Sequence, residues 1–427
     1  MTTETNDKCL NKEKLKSAKL AINGGSPVRT KAWSDGPFHF KSELERLAKV
    51  LSGPALALAR GESVMEFREK IKELYGTDHV ITSSSGSSAI HVALAASGVK
   101  PGDEVIVSPL TDFGSIIGVL QLNAVPVFCD VIKGGLVIDH NLLKDLITDR
   151  TKVIMPVHNG GYCADMNAIM QIAQQHNHIK VIEDCAQAHL TKLDGKYVGL
   201  FGDFGCFSTN ESKHMKTGEG GFILCKNKDE AEYADLFADK CYPRAHSSVR
   251  EVAFPALNVR MSEIAAAIGI EQVTKLPDWV NKRNIAGEKI KEIIQQYPLQ
   301  AHWEPAGLFA SYWWFAFYLD SDRCEMSSSE FILALQAEGI PCTLGPQPFI
   351  PSWEIFRKLN ENPDVFPNYR PDRLKAGSFN LDFWPQAQWT TKHMIAIPVN
   401  QHTGDSELSD LKTALSKIMN IKQKAEK

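Results

Sequence analysis

The 427 residues hold no CxxC pair, no HExxH and no other paired spacing of metal ligands. A zinc or redox-dithiol framework is therefore not expected. The nine cysteines, Cys9, Cys129, Cys163, Cys185, Cys206, Cys225, Cys241, Cys324 and Cys342, are odd in number and scattered. Several stand in apolar runs such as VFCDV and FILCK, where a thiol behaves as a small hydrophobe. Buried, reduced thiols in a cytoplasmic protein are the expectation. No apolar run is long enough to span a bilayer, and the polar start MTTETNDKCLNKEKLKSAKL has no signal-peptide core. It reads as a frayed arm or a charged helix. With 47 basic and 51 acidic residues, the chain has no charge excess suited to nucleic acid or an anionic membrane. Internal repeats, low-complexity tracts, GxxxxGK[ST] and GxGxxG are absent as well.

What is present is alternation. From about residue 76, short β-rich runs alternate with helical patterns: HVITSSS with SSAIHVALAASG, DEVIVSPL with SIIGVLQLNA, VPVFCDVI with NLLKDLI, and KVIMPVH with DMNAIMQIAQQHN. KVIEDCA, DFGCFST and GFILCK are further strands. The strands are almost continuously apolar, as in a parallel sheet covered on both faces. The expected fold class is α/β with a mostly parallel, doubly wound sheet. After Arg260 the pattern changes. MSEIAAAIGIEQVTKL and LPDWVNKRNIAGEKIKEIIQQY read as two helices, followed by a strand YWWFAFYL and helices EFILALQAEG and ELSDLKTALSKIMN. Pro341 to Trp389 resists assignment. The expected organisation is a polar arm over residues 1–20, a large α/β domain over 21–280 and a smaller α+β domain over 281–427.

Three stretches carry potential chemistry. In SSSGSSAIHVAL, Ser83 to Leu94, a strand ends in a serine–glycine turn that opens a helix. The free N–H groups there suit a phosphate; an ordinary serine cap is the alternative. In KVIEDCAQAH, Asp184 stands at the carboxyl end of a buried strand, where open α/β sheets bind ligands. Glu183 faces the other way because strand side chains alternate. Asp184 can bind a metal, accept a ribose hydroxyl, hold a protonated ring nitrogen, or simply cap the next turn. In FSTNESKHMKTGEGG, Lys213 and Lys216 lie in a polar loop. A lysine that forms a Schiff base must lose its proton in a cleft; solvated loop charge is the alternative. Spacing does not choose between the two lysines. Together, though, an anion site, a carboxylate and an amine in one α/β domain are what pyridoxal 5′-phosphate (PLP) requires.

At these residues the sequence resembles the DegT/StrS group of fold-type I PLP enzymes, which aminate keto-sugars and keto-cyclitols. The resemblance runs from LAINGGSPVRT near residue 20 to about residue 400. It implies that Ser87 and its neighbour Ser88 serve the cofactor phosphate together with Ser208. It makes Asp184 the pyridine-nitrogen partner, Gln187 a neighbour of the 3-hydroxyl and Lys213 the catalytic Schiff-base lysine. Asn258, in LNVRMSEIAAAIGIEQ, is implied to reach the phosphate of a neighbouring subunit, hence a homodimer with shared active sites. Within SPLTDFGS the family usually has an aromatic after the threonine, stacked on the PLP ring; here Asp112 stands there and Phe113 follows. Either the register slips so that Phe113 stacks, or the ring lacks that partner and the acid meets a polar substrate or donor. Tyr312, Trp313, Trp314 and His189 are candidate pocket residues, although most aromatics of YWWFAFYL suit a core.

The implied activity is an aminotransferase moving an amino group from glutamine or glutamate to a sugar or cyclitol ketone, nearest to the cyclitol and aminohydroxybenzoate subgroup. That places it in amino-sugar, aminocyclitol or secondary-metabolite (antibiotic) biosynthesis. A PLP-dependent dehydratase, lyase or epimerase is the alternative; members that dehydrate carry histidine in place of the lysine, whereas Lys213 is retained with His214 beside it. A PLP-bound non-catalytic regulator is a third reading, for which no added DNA-binding segment is visible.

Overall fold

The computed structural model describes residues 19–34, 36–53, 56, 61–242, 251–324, 326–361 and 381–425. Most of the expected polar arm, Cys9, and part of the Pro341–Trp389 stretch lie outside them. The helices α1 (Lys41–Leu51) and α2 (Ser63–Tyr75) precede a central sheet. Its strands are β1 (His79–Ser83), β2 (Glu104–Val107), β3 (Val125–Phe128), β4 (Thr151–Met155), β5 (Lys180–Asp184), β6 (Phe204–Ser208) and β7 (Gly221–Cys225). Between them run α3 (Gly86–Ala96), α4 (Gly114–Gln121) and α5 (Met166–Ala173); α6 (Lys228–Ala238) follows. The order is β1-β7-β6-β5-β4-β2-β3. β7 alone is antiparallel to both its neighbours, and the remaining pairs are parallel.

The apolar runs explain the layering. Ile81, Val105, Val107, Val153, Met155, Ile182 and Ile223 fill one core, while Val80, Ile106, Ile154, Val181, Phe222 and Leu224 fill the other. Alternate residues of each strand thus face opposite layers, and neither face is left for water. Helix α3 is buried along almost its whole length, from Ala89 to Ala95. Its sequence accordingly lacks a charged face.

A second, antiparallel sheet has the order β8-β9-β11-β10, from β8 (Leu299–Ala301), β9 (Trp314–Leu319), β10 (Thr343–Leu344) and β11 (Ile395–Pro398). Phe315, Phe317, Ile395 and Ile397 join the first of the two cores, so the sheets share apolar contact. The two helices expected after Arg260 are one helix, α7 (Glu263–Ile294), with Pro277 inside it. Proline costs about 3 kcal/mol in a helix interior. Here the flanking turns are held on both sides: Leu276, Trp279 and Val280 pack in one core, and Ala286, Ile290 and Ile294 in the other. Packing outweighs the local break. Ser262 caps the helix by accepting from Ala265 N–H at 3.1 Å, and buried Glu263 accepts from Ser63 N–H at the start of α2.

Residues 20–29 lie against α8 (Ser328–Ala337) and α9 (Asp405–Ala425). Glu338 is wholly buried and accepts from Ala21 N–H at 2.9 Å, Val28 N–H at 3.2 Å and Lys417 Nζ at 2.7 Å. Removing one partner of a buried pair strands the other charge. Glu338→Ala should therefore lower stability by about 3 kcal/mol, read as a lower urea midpoint, whereas Lys358→Ala, in an exposed pair, should leave it unchanged.

Candidate active site

The carboxyl ends of β1, β4, β5 and β6 converge on one cavity of about 460 Å³. After β1, Ser85 is extended (φ −165°, ψ 167°), and its hydroxyl accepts from Ser88 N–H at 3.1 Å. This N-cap leaves the Gly86 and Ser87 N–H groups at the first two helical positions, before any intrahelical bond forms. A Cβ at Gly86 would lie 2.7 Å from Ser208 Cβ, so only glycine lets the helix start approach β6 so closely. Ser87 and Ser208 both line the cavity. Ser88 does not: its hydroxyl is turned into the cap, 2.9 Å from Ser85 Oγ and 3.2 Å from Ser84 Oγ.

Asp184 ends β5 almost fully buried. Its oxygens accept from Ser115 Oγ at 2.6 Å and Ala186 N–H at 3.1 Å, and Ser115 Oγ is 2.6 Å from Thr111 Oγ1. Burial raises the carboxyl's proton affinity; the Ser115 and Ala186 bonds and the Lys213 charge oppose that. Glu183 points to the opposite face, as strand alternation requires. It accepts from Gly199, Phe201 and Gly202 N–H at 2.7–2.8 Å and meets His158 Nε2 at 3.1 Å. His158, Glu183 and Cys185 are close enough to share an ion. Both Glu183 oxygens are already taken by these donors, and burial drives the Cys185 thiol well up.

The loop after β6 separates the two lysines. Thr217 N–H donates to Thr209 O at 2.8 Å, and Lys213 N–H to Asn210 O at 2.9 Å, which folds the loop back on itself. Lys213 lines the cavity. His214 is buried behind it with Nε2 at 3.2 Å from Ser311 O, and Met215 is buried in the core. Lys216 emerges elsewhere, its Nζ 3.7 Å from the centroid of Phe38. Burial lowers the Lys213 pKa, against the pull of Asp184 and Asp112. A half-buried amine of this kind loses its proton more readily than a fully solvated lysine, as a nucleophile requires.

Gln187 also lines the cavity. Its Oε1 accepts from Gly160 N–H at 2.8 Å and Gln347 Nε2 at 2.9 Å, which leaves its own Nε2 as the group free to donate. Asp112 lines the cavity and caps Gly114 N–H at 2.8 Å, while Phe113 is outside the wall and stacks on Trp353 at 5.7 Å and 28°. The cavity wall at this point is thus formed by Asp112 and not by Phe113. Of the four candidate pocket residues, only Trp313 reaches the cavity. Tyr312 is buried with its hydroxyl on Glu288, Trp314 is in the core, and His189 is buried with Nε2 on Ser208 O. Asn258 is exposed and outside this chain's own cavity; the next residue's carbonyl accepts Ser84 N–H at 2.6 Å.

Sequence reasoning missed Thr111, Ser115, Asn210, Glu219 and Gln347. Thr111 and Ser115 carried a signal, because four residues apart across a helix start they share one side. Gln347 carried none; it sits in the proline-rich segment that had no assignable pattern. The donor set fits PLP. Backbone N–H groups and two hydroxyls stand at a helix start, an amine stands in the middle, and a buried carboxylate and an amide donor lie beyond it.

Over residues 39–411 the chain matches the DegT/DnrJ/EryC1/StrS aminotransferase family. The L-glutamine:2-deoxy-scyllo-inosose aminotransferase of Streptomyces kanamyceticus is 29% identical over 426 residues, covering 95% of this chain and 98% of that protein. A relative from Micromonospora echinospora is 32% identical over 283 residues, which are 64% of this chain and 66% of that protein. The crystal structure of 3-amino-5-hydroxybenzoic acid synthase shares the fold, with a TM-score of 0.77 over 92% of this chain and 98% of that one at 23% identity. The site geometry and the family match lead to one identification: the chain belongs to the DegT/DnrJ/EryC1/StrS aminotransferase family and is a PLP-dependent aminotransferase.

Proposed function

We propose that the protein transfers an amino group from glutamine or glutamate to a ketone of a sugar or cyclitol. The observation that carries the reading is the Lys213 amine, desolvated in the cavity and attracted by Asp184 and Asp112 without an ion pair to either among the described residues. The relative named for L-glutamine and 2-deoxy-scyllo-inosose supports both the donor and the acceptor class. The wall is polar, with Asp112, Asn210, Glu219 and Gln347 at hand to bond hydroxyls of an acceptor ring.

Bound PLP supplies an aldehyde carbon that takes up the amino group and a protonated ring that accepts electrons when the donor Cα–H bond breaks. The Gly86 and Ser87 N–H groups and the Ser87 and Ser208 hydroxyls would hold its phosphate, Asp184 would accept from its ring N–H, and Gln187 Nε2 would donate to its ring oxygen. Lys213 would hold it through the side-chain amine and, with that amine free, would take the proton from the donor Cα and return one to the acceptor carbon. Ser88 acts only through the cap that sets the helix start.

A homodimer with shared sites belongs to the same reading. The family resemblance gives Asn258 to the phosphate of a second copy, and its exposed position outside its own cavity is compatible with that role. The eight described cysteines are all free, which supports a reducing, cytoplasmic setting. Among the described residues no helix is long and apolar enough to cross a membrane.

Three measurements check this reading. Lys213→Ala should abolish the absorption band of covalently held cofactor and all turnover, while Lys216→Ala keeps the band; the reverse outcome moves the chemistry to Lys216. Asp184→Asn should bind cofactor but lower kcat by about 100-fold or more, since a preorganised charge at the reacting group is lost. Mixed Lys213→Ala and Asn258→Ala chains, unfolded and refolded together, should regain activity that neither variant has alone. No regain would place both residues in one chain's site.

A further inference from the structure

Trp313 is the only aromatic side chain in the cavity wall among the described residues. The Lys213 Nζ lies 4.2 Å from its ring centroid. The indole Nε1–H donates to Ser212 O at 2.7 Å, the peptide immediately before the lysine. The backbone of Trp313 is held as firmly, with its N–H on Gly160 O at 2.8 Å and its carbonyl accepting Val399 N–H at 3.4 Å. Tyr312 just before it has φ 37°, a conformation that strains a residue with a side chain. Arg283, buried on α7, donates from Nη1 to the carbonyls of Tyr312 at 3.3 Å and Val399 at 2.5 Å. A strained residue and a buried guanidinium thus fix one indole beside one amine.

We propose that Trp313 is the positioning residue for the Lys213 amine, its ring face receiving the free ammonium and its Nε1–H fixing the peptide that carries the lysine. The inference rests on Lys213 as the reacting amine. Once displaced, that amine hangs on a flexible four-carbon stem in a cavity that also holds carboxylates. Asp184, Asp112 and Glu219 face the cavity, and His189 and His214 lie behind the loop. An ion pair with one of the acids would hold the amine as a fixed ammonium and remove it as a base. An indole face attracts the ammonium through its quadrupole but has no lone pair to take the proton. It therefore keeps the amine in place and still free to cycle its proton. Hydrophobic filling alone does not account for the Nε1 bond to Ser212, which spends the polar edge of the ring on the lysine's own backbone.

The direct test is tryptophan fluorescence of the full-length chain freed of cofactor, titrated from neutral to alkaline pH. The signal of Trp313 is isolated as the difference between the chain and Trp313→Phe, because the protein has 8 tryptophans. This difference should show one step with a midpoint below the ordinary lysine value of about 10.4, and Lys213→Met should remove it. A flat difference, or a step that survives Lys213→Met, overturns the proposal. In the holoenzyme, Trp313→Leu should lower kcat by roughly tenfold or more with KM changed by less than about threefold, and Trp313→Phe, which restores a ring face, should recover much of the loss. A change confined to KM would make the ring a substrate contact and overturn the positioning role. If Trp313→Leu does not fold, the Lys213→Met titration, which leaves the tryptophan in place, still decides. Because the titration uses neither donor nor acceptor, a wrong substrate assignment would leave its outcome intact.

Discussion

A carboxylate withdrawn from water is the constraint on which the site depends. Asp184 cannot remain charged at the end of a buried strand unless donors reach it, and two do, Ser115 Oγ and the Ala186 N–H. These demands fix the neighbours. Ser115 must start α4 where it does, with Thr111 behind it, and the turn after β5 must bring back its own N–H. Lys213 in the same cavity is half-buried. Burial shifts the acid toward its neutral form and the amine toward its neutral form, and the attraction between them at a distance offsets part of both shifts. The same strand shows the complementary solution at Glu183, whose oxygens are filled by three backbone donors and His158 Nε2.

The loop between β6 and β7 shows how tertiary folding divides chemically equal residues. Lys213 and Lys216 are three apart in a polar stretch, and no propensity distinguishes them. The loop folds back through Thr209 and Thr217, so Lys213 faces the cavity, His214 and Met215 are buried, and Lys216 is half-buried away from the cavity. One lysine meets an indole and two acids at a distance; the other covers Phe38. Close approach of β7 to the helix start tightens the frame, since a Cβ at Gly221 would lie 2.5 Å from Ser85 O.

Legibility in the sequence followed the range of the forces involved. The strands β1 to β7 and helices α3 to α5 were readable because apolar runs and helical spacing are local and the sheet is buried on both faces. The serine–glycine turn, Asp184 and the lysine loop, which line one cavity, could be singled out because each joins a strand end to a turn. Pro277 misled, because a local helix breaker is overruled by packing on two cores. Ser88 misled because the neighbouring serines are alike in type and only helix geometry separates a cavity hydroxyl from a cap hydroxyl. Gln347 was invisible: it arrives from 160 residues away to orient Gln187.

The order of elements, the two-sided burial of the sheet, and the identity of the acid and of the lysine loop were determined by the sequence itself, because periodicity, turn chemistry and residue type are properties of short stretches. Which lysine faces the cavity, which way the Gln187 amide points, and that Asp112 rather than Phe113 forms the wall were decided only by the tertiary structure. Each of these depends on partners distant in the chain, among them Trp313, Gln347 and Trp353, whose approach no local pattern encodes.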